Sequence, residues 1–358
     1  MKNIYSVIMA GGIGSRFWPV STAQFPKQFH DILGTGETLL QQTYRRLLKV
    51  SSPDKILVVT HKNYHGLVAE QLPHLPTKNI ILEPARRNTA PCITYAAYRI
   101  ASQDPTATML VAPSDHLIAN EDEFTRIALL ACREASQSRK LFTLGIKPHR
   151  PDTGYGYIQY ISLEKEPGSE IKRVKTFTEK PDESLARQFI NSGDFLWNSG
   201  IFIWSLPTFM AELEEHQQDL YTTFEAGGSQ FGTDGEKAFV EKIYPACDNE
   251  SIDYGLMEKS SHVYVVPSDF GWSDLGTWGS LHEHARHDND ENAVMSDKVM
   301  AYDTKNTLIK VSKNKLAIVQ GLDGYIVVEE DHALLICKRD HEQLIKSYVN
   351  DVKLRFGG

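Results

Sequence analysis

The stretch Ile4-Tyr5-Ser6-Val7-Ile8-Met9-Ala10-Gly11-Gly12-Ile13-Gly14-Ser15-Arg16 decides how this chain is read. A β-rich run, Ile4 to Met9, passes straight into glycines, whose missing Cβ lets backbone N–H groups approach an anion. Such a turn is either a phosphate cradle or a tight turn and nothing more. A dinucleotide fingerprint needs a third glycine and a carboxylate about 20 residues on, at the end of the second strand. Here Phe17 stands in the third glycine's place, and Asp31 precedes the first long helix. No Gly-Lys-Ser/Thr follows, so the Walker pattern is absent as well. Arg16, and then Lys27 within Pro26-Lys27-Gln28-Phe29, put two cations on the same loop. Arg offers a planar fork to phosphate oxygens and Lys a compact point charge, a pair suited to a triphosphate and to charge developing at an attacked phosphorus.

Outward from this loop, runs at 56–60, 80–82, 108–112 and 141–146 read as strands. They alternate with helix-length segments near 39–48, 64–72, 90–102 and 123–138. That alternation predicts βαβ units and an α/β fold with a doubly wound, mostly parallel, Rossmann-like sheet, whose ligands sit beyond the carboxyl ends of its strands. Residues 153–161 read as a Gly- and Tyr-rich hairpin, with strands at 172–178 and 197–204, an insertion expected to shape a pocket over the sheet. Residues 212–250 are polar and read as helical, and 262–267 return to strand. Beyond about residue 290 only short β runs occur, at 299–302, 307–311, 316–319, 325–329 and 333–337, before a helix near 341–352. They predict a small all-β, β-helix-like appendage, so the expected division is 1–288 and 289–358. No heptad, low-complexity tract or long-period repeat is visible.

The 358 residues carry 38 Lys and Arg against 46 Asp and Glu, a net charge of -8. No sequence-wide basic field draws the chain to nucleic acid or anionic lipid, so an anionic ligand must be caught by a local cluster. No apolar run reaches the roughly 18 to 20 residues that span a membrane, and no cleavable leader is visible. A cytoplasmic protein with neither nucleic-acid nor membrane partners is expected. Cys92, Cys132, Cys247 and Cys337 lie far apart and read as buried free thiols. His61 and His65 lack the metalloprotease glutamate, and His282, His284 and His287 read as lying on an exposed helix.

The motif Gly11-Gly12-Ile13-Gly14-Ser15-Arg16-Phe17-Trp18-Pro19, closing with Pro26-Lys27-Gln28-Phe29, resembles the opening of the sugar-1-phosphate nucleotidylyltransferases, specifically the bacterial mannose-1-phosphate guanylyltransferases. Further blocks agree in order along the chain: Glu83 to Pro91, Pro113-Ser114-Asp115-His116, Phe177 to Pro181, Trp197 to Phe202, Ser251 to Tyr254 and Gly271 to Gly276. Departures are mild, with Ser15 where Thr is commoner, Thr22 where Arg is frequent and Thr178 where Val is usual.

The resemblance implies a nucleotidyltransferase domain over 1–288 that joins GTP to mannose 1-phosphate, giving GDP-mannose and pyrophosphate. It implies nucleotide contacts from Gly11, Gly12, Gly14, Ser15, Arg16, Arg87, Asn88, Thr89 and Ser114, with Arg16 and Lys27 as the catalytic cations. It implies that Asp115 and Asp274 hold Mg²⁺, which needs only one or two protein carboxylates. Hexose contacts fall to Gly156, Glu179, Lys180 and Asn198, where a carboxylate can accept and an amide and an ammonium can donate to hydroxyls. A homodimer is expected through the β-rich appendage. Two rivals remain: transfer to another hexose 1-phosphate, or a catalytically silent subunit that binds nucleotide sugars. The second would be expected to lack Arg16, Lys27 or an acid, and all are present. The isomerase domain of the family's longer members is not expected within 358 residues.

Overall fold

Ile4–Met9 is apolar on both faces and buried almost throughout, the pattern of a strand in the middle of a covered parallel sheet. In the computed structural model, which describes residues 3–161 and 168–356, it pairs in parallel with Ile56–His61 on one side and Thr108–Pro113 on the other. The chain forms two units interleaved along the sequence: Met1–Gly11, Thr43–Ser114 and Ile118–Trp272 make the first, and Gly12–Gln42, Asp115–Leu117 and Ser273–Gly358 the second.

The first unit holds a nine-stranded sheet in the order Ile80–Glu83, Ile56–His61, Ile4–Met9, Thr108–Pro113, Phe195–Ser205, Leu141–Ile146, Val263–Ser268, Lys172–Glu179, Gly156–Ile161. The α/β, mostly parallel reading is correct. Phe195–Ser205 and Lys172–Glu179 run against the strands they pair with. The segments expected to shape a pocket over the sheet are themselves strands of it: Gly156–Ile161 and Lys172–Glu179 extend its edge, and Phe195–Ser205 enters its middle. A register shift between Thr143 and Gly145 brings Asn198 opposite Gly145. A Cβ at Gly145 would lie 2.5 Å from Val265 Cγ2 and 2.6 Å from Leu196 Cδ1, so the close passage of three strands requires glycine there.

Helix Thr89–Ala101 buries Ala90, Ala96 and Ala97, small residues that let it sit close, in a core with Val7, Val59, Ile81, Val111, Phe202 and Trp204. Helix Glu121–Gln137 starts on Asn120, whose side chain accepts from the Glu123 N–H, and carries Glu121, Asp122 and Glu123 in its first turn, where acids favour the helix dipole. The polar segment 212–250 resolves into helices Leu206–His216, Gln218–Glu225 and Glu236–Ile243.

In the second unit, Ala293–Val294, Leu308–Lys310 and Tyr325–Glu330 stack in parallel, Ala333–Lys338 closes them antiparallel, and Val299–Tyr302 pairs with Ala317–Gln320. Their inward side chains Leu308, Ile326, Val328 and Leu335 form one core with Phe17, Ile32 and Leu39 of segment 12–42, and with Leu275, Trp278 and Ile345. Phe17 lies 4.6 Å from Trp278, ring to ring, and Trp278 Nε1 donates to the Trp18 carbonyl at 3.2 Å.

His282 is a correction to the exposed-helix expectation: it is buried, accepts from Arg339 at 2.7 Å and meets the Glu291 carbonyl at 3.0 Å. Cys92, Cys132 and Cys247 are buried free thiols as expected, and Cys337 is half-buried and free. Among the described residues no helix is long and apolar enough to cross a membrane.

Trp278→Ala removes the largest side chain of the second core together with its Nε1 bond. The expected loss is about 3–5 kcal/mol in denaturant unfolding.

Candidate active site

The glycine loop of the second unit separates its donors from its acceptors. Gln28 Nε2 donates to the Gly12 carbonyl at 3.0 Å, Ser21 Oγ to that of Ile13 at 2.5 Å, and the Phe17 N–H to that of Gly14 at 2.9 Å. The N–H groups of residues 12–16 meet no acceptor among the described residues. Carbonyls tied back and successive N–H groups left open are the makings of an anion nest. Gly14 is required: its φ is +66°, and a Cβ there would come 2.6 Å from Lys27 Cβ. Arg16 and Gly12 are exposed, and Arg16 forms no ion pair among the described residues. Gly12, Gly14, Ser15 and Arg16 thus share one open loop.

Lys27 behaves differently. Its side chain is 3% exposed, and Nζ lies 2.8 Å from Asp115 Oδ2 while donating to the carbonyls of Asp274 at 3.0 Å and Leu275 at 2.9 Å. Its three N–H bonds are thereby matched by three acceptors, above the Phe17 ring at 5.3 Å. Burial opposes charge on Asp115, but the Lys27 ammonium and His116 outweigh it and hold the carboxyl below the usual range. Asp115 remains one-third open. The Asp274 carboxylate accepts from the Gly276 N–H at 2.8 Å, and its backbone, rather than its side chain, meets Lys27.

In the first unit, Gly11 lies against the carboxyl of Glu83, where a Cβ would come 3.1 Å from Oε2. Glu83 closes its strand, is buried, and accepts from the Tyr244 hydroxyl. Burial raises its carboxyl to about 7 although Tyr244 and Arg86 pull the other way. Asn88, at φ 65°, caps helix Thr89–Ala101 by accepting from the Thr89 N–H. Thr89 Oγ1 accepts from the Ile252 N–H at 2.9 Å, and Arg87 donates to the Pro245 carbonyl. The Ser114 N–H donates to the Met9 carbonyl at 3.0 Å, which keeps this residue on the rim of the sheet.

The sheet's far side gathers the residues expected at a hexose. Gly156 pairs with Glu179, and a Cβ on it would meet Glu179 Oε2 at 2.4 Å and Asn198 Cβ at 3.4 Å. Glu179 and Lys180 form an ion pair, with Lys180 at φ 48° donating its N–H to the Tyr155 carbonyl at 3.2 Å. Asn198 Nδ2 donates to Asp253 Oδ1 at 2.7 Å. Burial first, then Glu179, raises the Asp253 carboxyl to about 6. Glu83 and Asp253 lie beyond the residues picked from sequence. Both stand inside the family-like blocks, but what sets them apart is burial beside a partner remote in sequence, Tyr244 for one and Asn198 for the other.

A model of the nucleotidyl transferase family matches residues 5–291. The alginate biosynthesis protein AlgA of Pseudomonas aeruginosa is 36% identical over 97% of this chain and 71% of its own length. The mannose-1-phosphate guanylyltransferase of Escherichia coli is 37% identical over 98% of this chain and 74% of its own. The crystal structure of mannose-1-phosphate geranyltransferase from Thermus thermophilus superposes with a TM-score of 0.88 at 28% identity, covering 99% of this chain and 100% of that one.

Lys27→Met leaves the Asp115 charge without its ammonium partner, with His116 remaining beside it at 3.8 Å. It is expected to cost about 3 kcal/mol in urea unfolding, the low end for such a loss because Asp115 is partly solvated. The double variant Lys27→Met/Asp115→Asn is expected to recover most of that. In the native chain, the depressed Asp115 carboxyl stabilises the fold above its unfolded pKa of about 4, and this is lost as pH falls through the folded value. Acid unfolding of Asp115→Asn, which lacks that dependence, checks the sign.

Proposed function

This chain belongs to the nucleotidyl transferase family, and from that premise we propose that it transfers GMP from GTP to mannose 1-phosphate, releasing pyrophosphate. The observation that carries the phosphate half of this reading is the loop of residues 12–16, with its carbonyls tied back, its N–H groups open and Arg16 unpaired among the described residues. Near-full-length similarity to a protein named mannose-1-phosphate guanylyltransferase supports the choice of substrates.

The sugar phosphate oxygen attacks the α-phosphorus of GTP, a P–O bond forms there, and the bond to the departing pyrophosphate breaks in line with it. No protein nucleophile is needed, only positioning and neutralisation of charge. The open N–H groups of Gly12, Gly14 and Ser15 take nucleotide oxygens, and Arg16 stabilises the transition state and the leaving group. Lys27 grips phosphate by exchanging one of its carbonyl or carboxylate partners. Gly11, Arg87, Asn88, Thr89 and Ser114 frame the nucleoside, and Gly156, Glu179, Lys180 and Asn198 receive the hexose.

Asp115 and Asp274 are the proposed holders of Mg²⁺. The fit rests on Asp115, kept charged and one-third open, and on the shared approach of Asp115 and the Asp274 backbone to the Lys27 cation. Among the described residues no three His, Cys, Asp or Glu could form a metal cage, and Mg²⁺ does not require one when water and phosphate complete its shell. When bound, the ion supplies further neutralisation of phosphate oxygens.

We also infer a homodimer and a cytoplasmic location. Leu316, Ile318, Leu334 and Ile336 of the second unit are 53–68% exposed and line one apolar groove, more than scattered surface residues would give. Light scattering is expected to give the mass of two chains, and that of one chain for Ile318→Glu/Ile336→Lys.

Pyrophosphate release measured for four nucleotides against mannose, glucose and fucose 1-phosphates is expected to peak for GTP with mannose 1-phosphate. Arg16→Met should lower kcat about a hundredfold or more. Absence of release in the GTP and mannose well overturns the assignment.

A further inference from the structure

We propose that Asp253 is a hydroxyl-accepting and positioning residue of the hexose site: it fixes the Asn198 amide so that a donor and an acceptor stand side by side for two neighbouring ring hydroxyls. This inference rests on the hexose 1-phosphate reading above and adds a residue to it.

The hydrogen-bond network determines which way the Asn198 amide faces. One amide atom receives the Gly200 N–H at 3.3 Å, and a backbone N–H can only donate, so that atom is Oδ1. Thr143 Oγ1 donates to the same oxygen at 2.9 Å. The other atom is Nδ2, which donates to Asp253 Oδ1 at 2.7 Å. This uses one of its two N–H bonds, and the second meets no acceptor among the described residues. Strand pairing holds the arrangement, with Gly145 opposite Asn198 and Gly156 opposite Glu179. Asp253 opens the π-turn Asp253–Met257, a backbone form concentrated at functional positions.

The charges around Asp253 come from several elements. Glu179 and Lys180 face it from the end of strand Lys172–Glu179, Tyr254 belongs to its own turn, and Glu258, which caps that turn, faces the same Glu179. Helix Leu206–His216 packs on that turn, and its Glu212 and His216 are 3.4 Å apart. Burial and Glu179 together disfavour the Asp253 carboxylate, and Asn198 only partly offsets them. A charge so poorly solvated gains most from a hydroxyl that donates to it. The same reasoning separates binding from structure. An acid whose folded pKa lies above its unfolded value loses stability as pH rises through that interval, so at pH 7 the ionised group is a burden to the fold.

The test is steady-state pyrophosphate release by the wild type, Asp253→Asn and Thr143→Val, with thermal melting of each. For Asp253→Asn the KM for mannose 1-phosphate is expected to rise about tenfold, the scale of a hydrogen bond to a charged group. The KM for GTP should stay within about twofold, and the melting midpoint at pH 7 should be equal or higher. Thr143→Val, which loosens the other end of the amide, is expected to raise the same KM about threefold. Lowering the pH below about 6 should shrink the difference in kcat/KM between wild type and Asp253→Asn, because protonation removes the charge the variant lacks. The substrate phosphate, titrating near 6, cancels in that comparison.

An unchanged hexose KM in Asp253→Asn, an equal rise in the GTP KM, or a difference that ignores pH would overturn this inference and leave the proposed function standing. A wild type that releases no pyrophosphate with any hexose 1-phosphate would overturn both.

Discussion

The second unit is arranged around the buried ammonium of Lys27. An ammonium at 3% exposure is tolerable only if its donors are matched, and Asp115, Asp274 and Leu275, from distant parts of the sequence, match them. That requirement fixes where segment 12–42, the residues after strand Thr108–Pro113 and the turn after Trp272 must meet. It also explains why Gly14 has no alternative: the loop presses onto the Lys27 stem, where a further carbon would collide. The Phe17 ring below completes the enclosure and ties the cation to the apolar core.

The two cations that stand so close in sequence carry different burdens. Arg16 is exposed and unengaged among the described residues, whereas Lys27 is already bound on every N–H. The guanidinium is available to an anion as it stands, whereas the ammonium would first have to give up one of its three acceptors. Against a net charge of -8 for the whole chain, the exposed Arg16 and the open N–H groups of residues 12–16 are a local concentration of donors.

Much of the sheet was legible because its early strands are continuous apolar runs that alternate with helix-length segments, though the start of Glu121–Gln137 at its Asn120 cap was not placed. Phe195–Ser205 was legible as a strand but not in its direction or its central place, since these depend on pairings with Thr108–Pro113 and Leu141–Ile146. The glycine loop could be read as an anion cradle from its composition, yet the tying back of its carbonyls by Ser21 and Gln28 is a fact of three dimensions. Glu83 and Asp253 escaped for the same reason. What distinguishes them is a remote neighbour, Tyr244 for one and Asn198 for the other, and nothing in the adjacent residues announces it. His282 misled because charged neighbours in sequence concealed an inward-facing ring.

The shared core of the second unit joins the amino-terminal loop to the short strands near the other end of the chain. Leu308, Ile326 and Ile345 lie under Phe17, Ile32 and Leu39 in one apolar cluster. The carboxy-terminal coil is therefore bedrock for the glycine loop rather than an ornament added after it. The shape of the amino-terminal loop thus depends on aliphatic side chains far away in the sequence, and a loop transplanted without that bedrock would arrive as a motif with nothing to stand on.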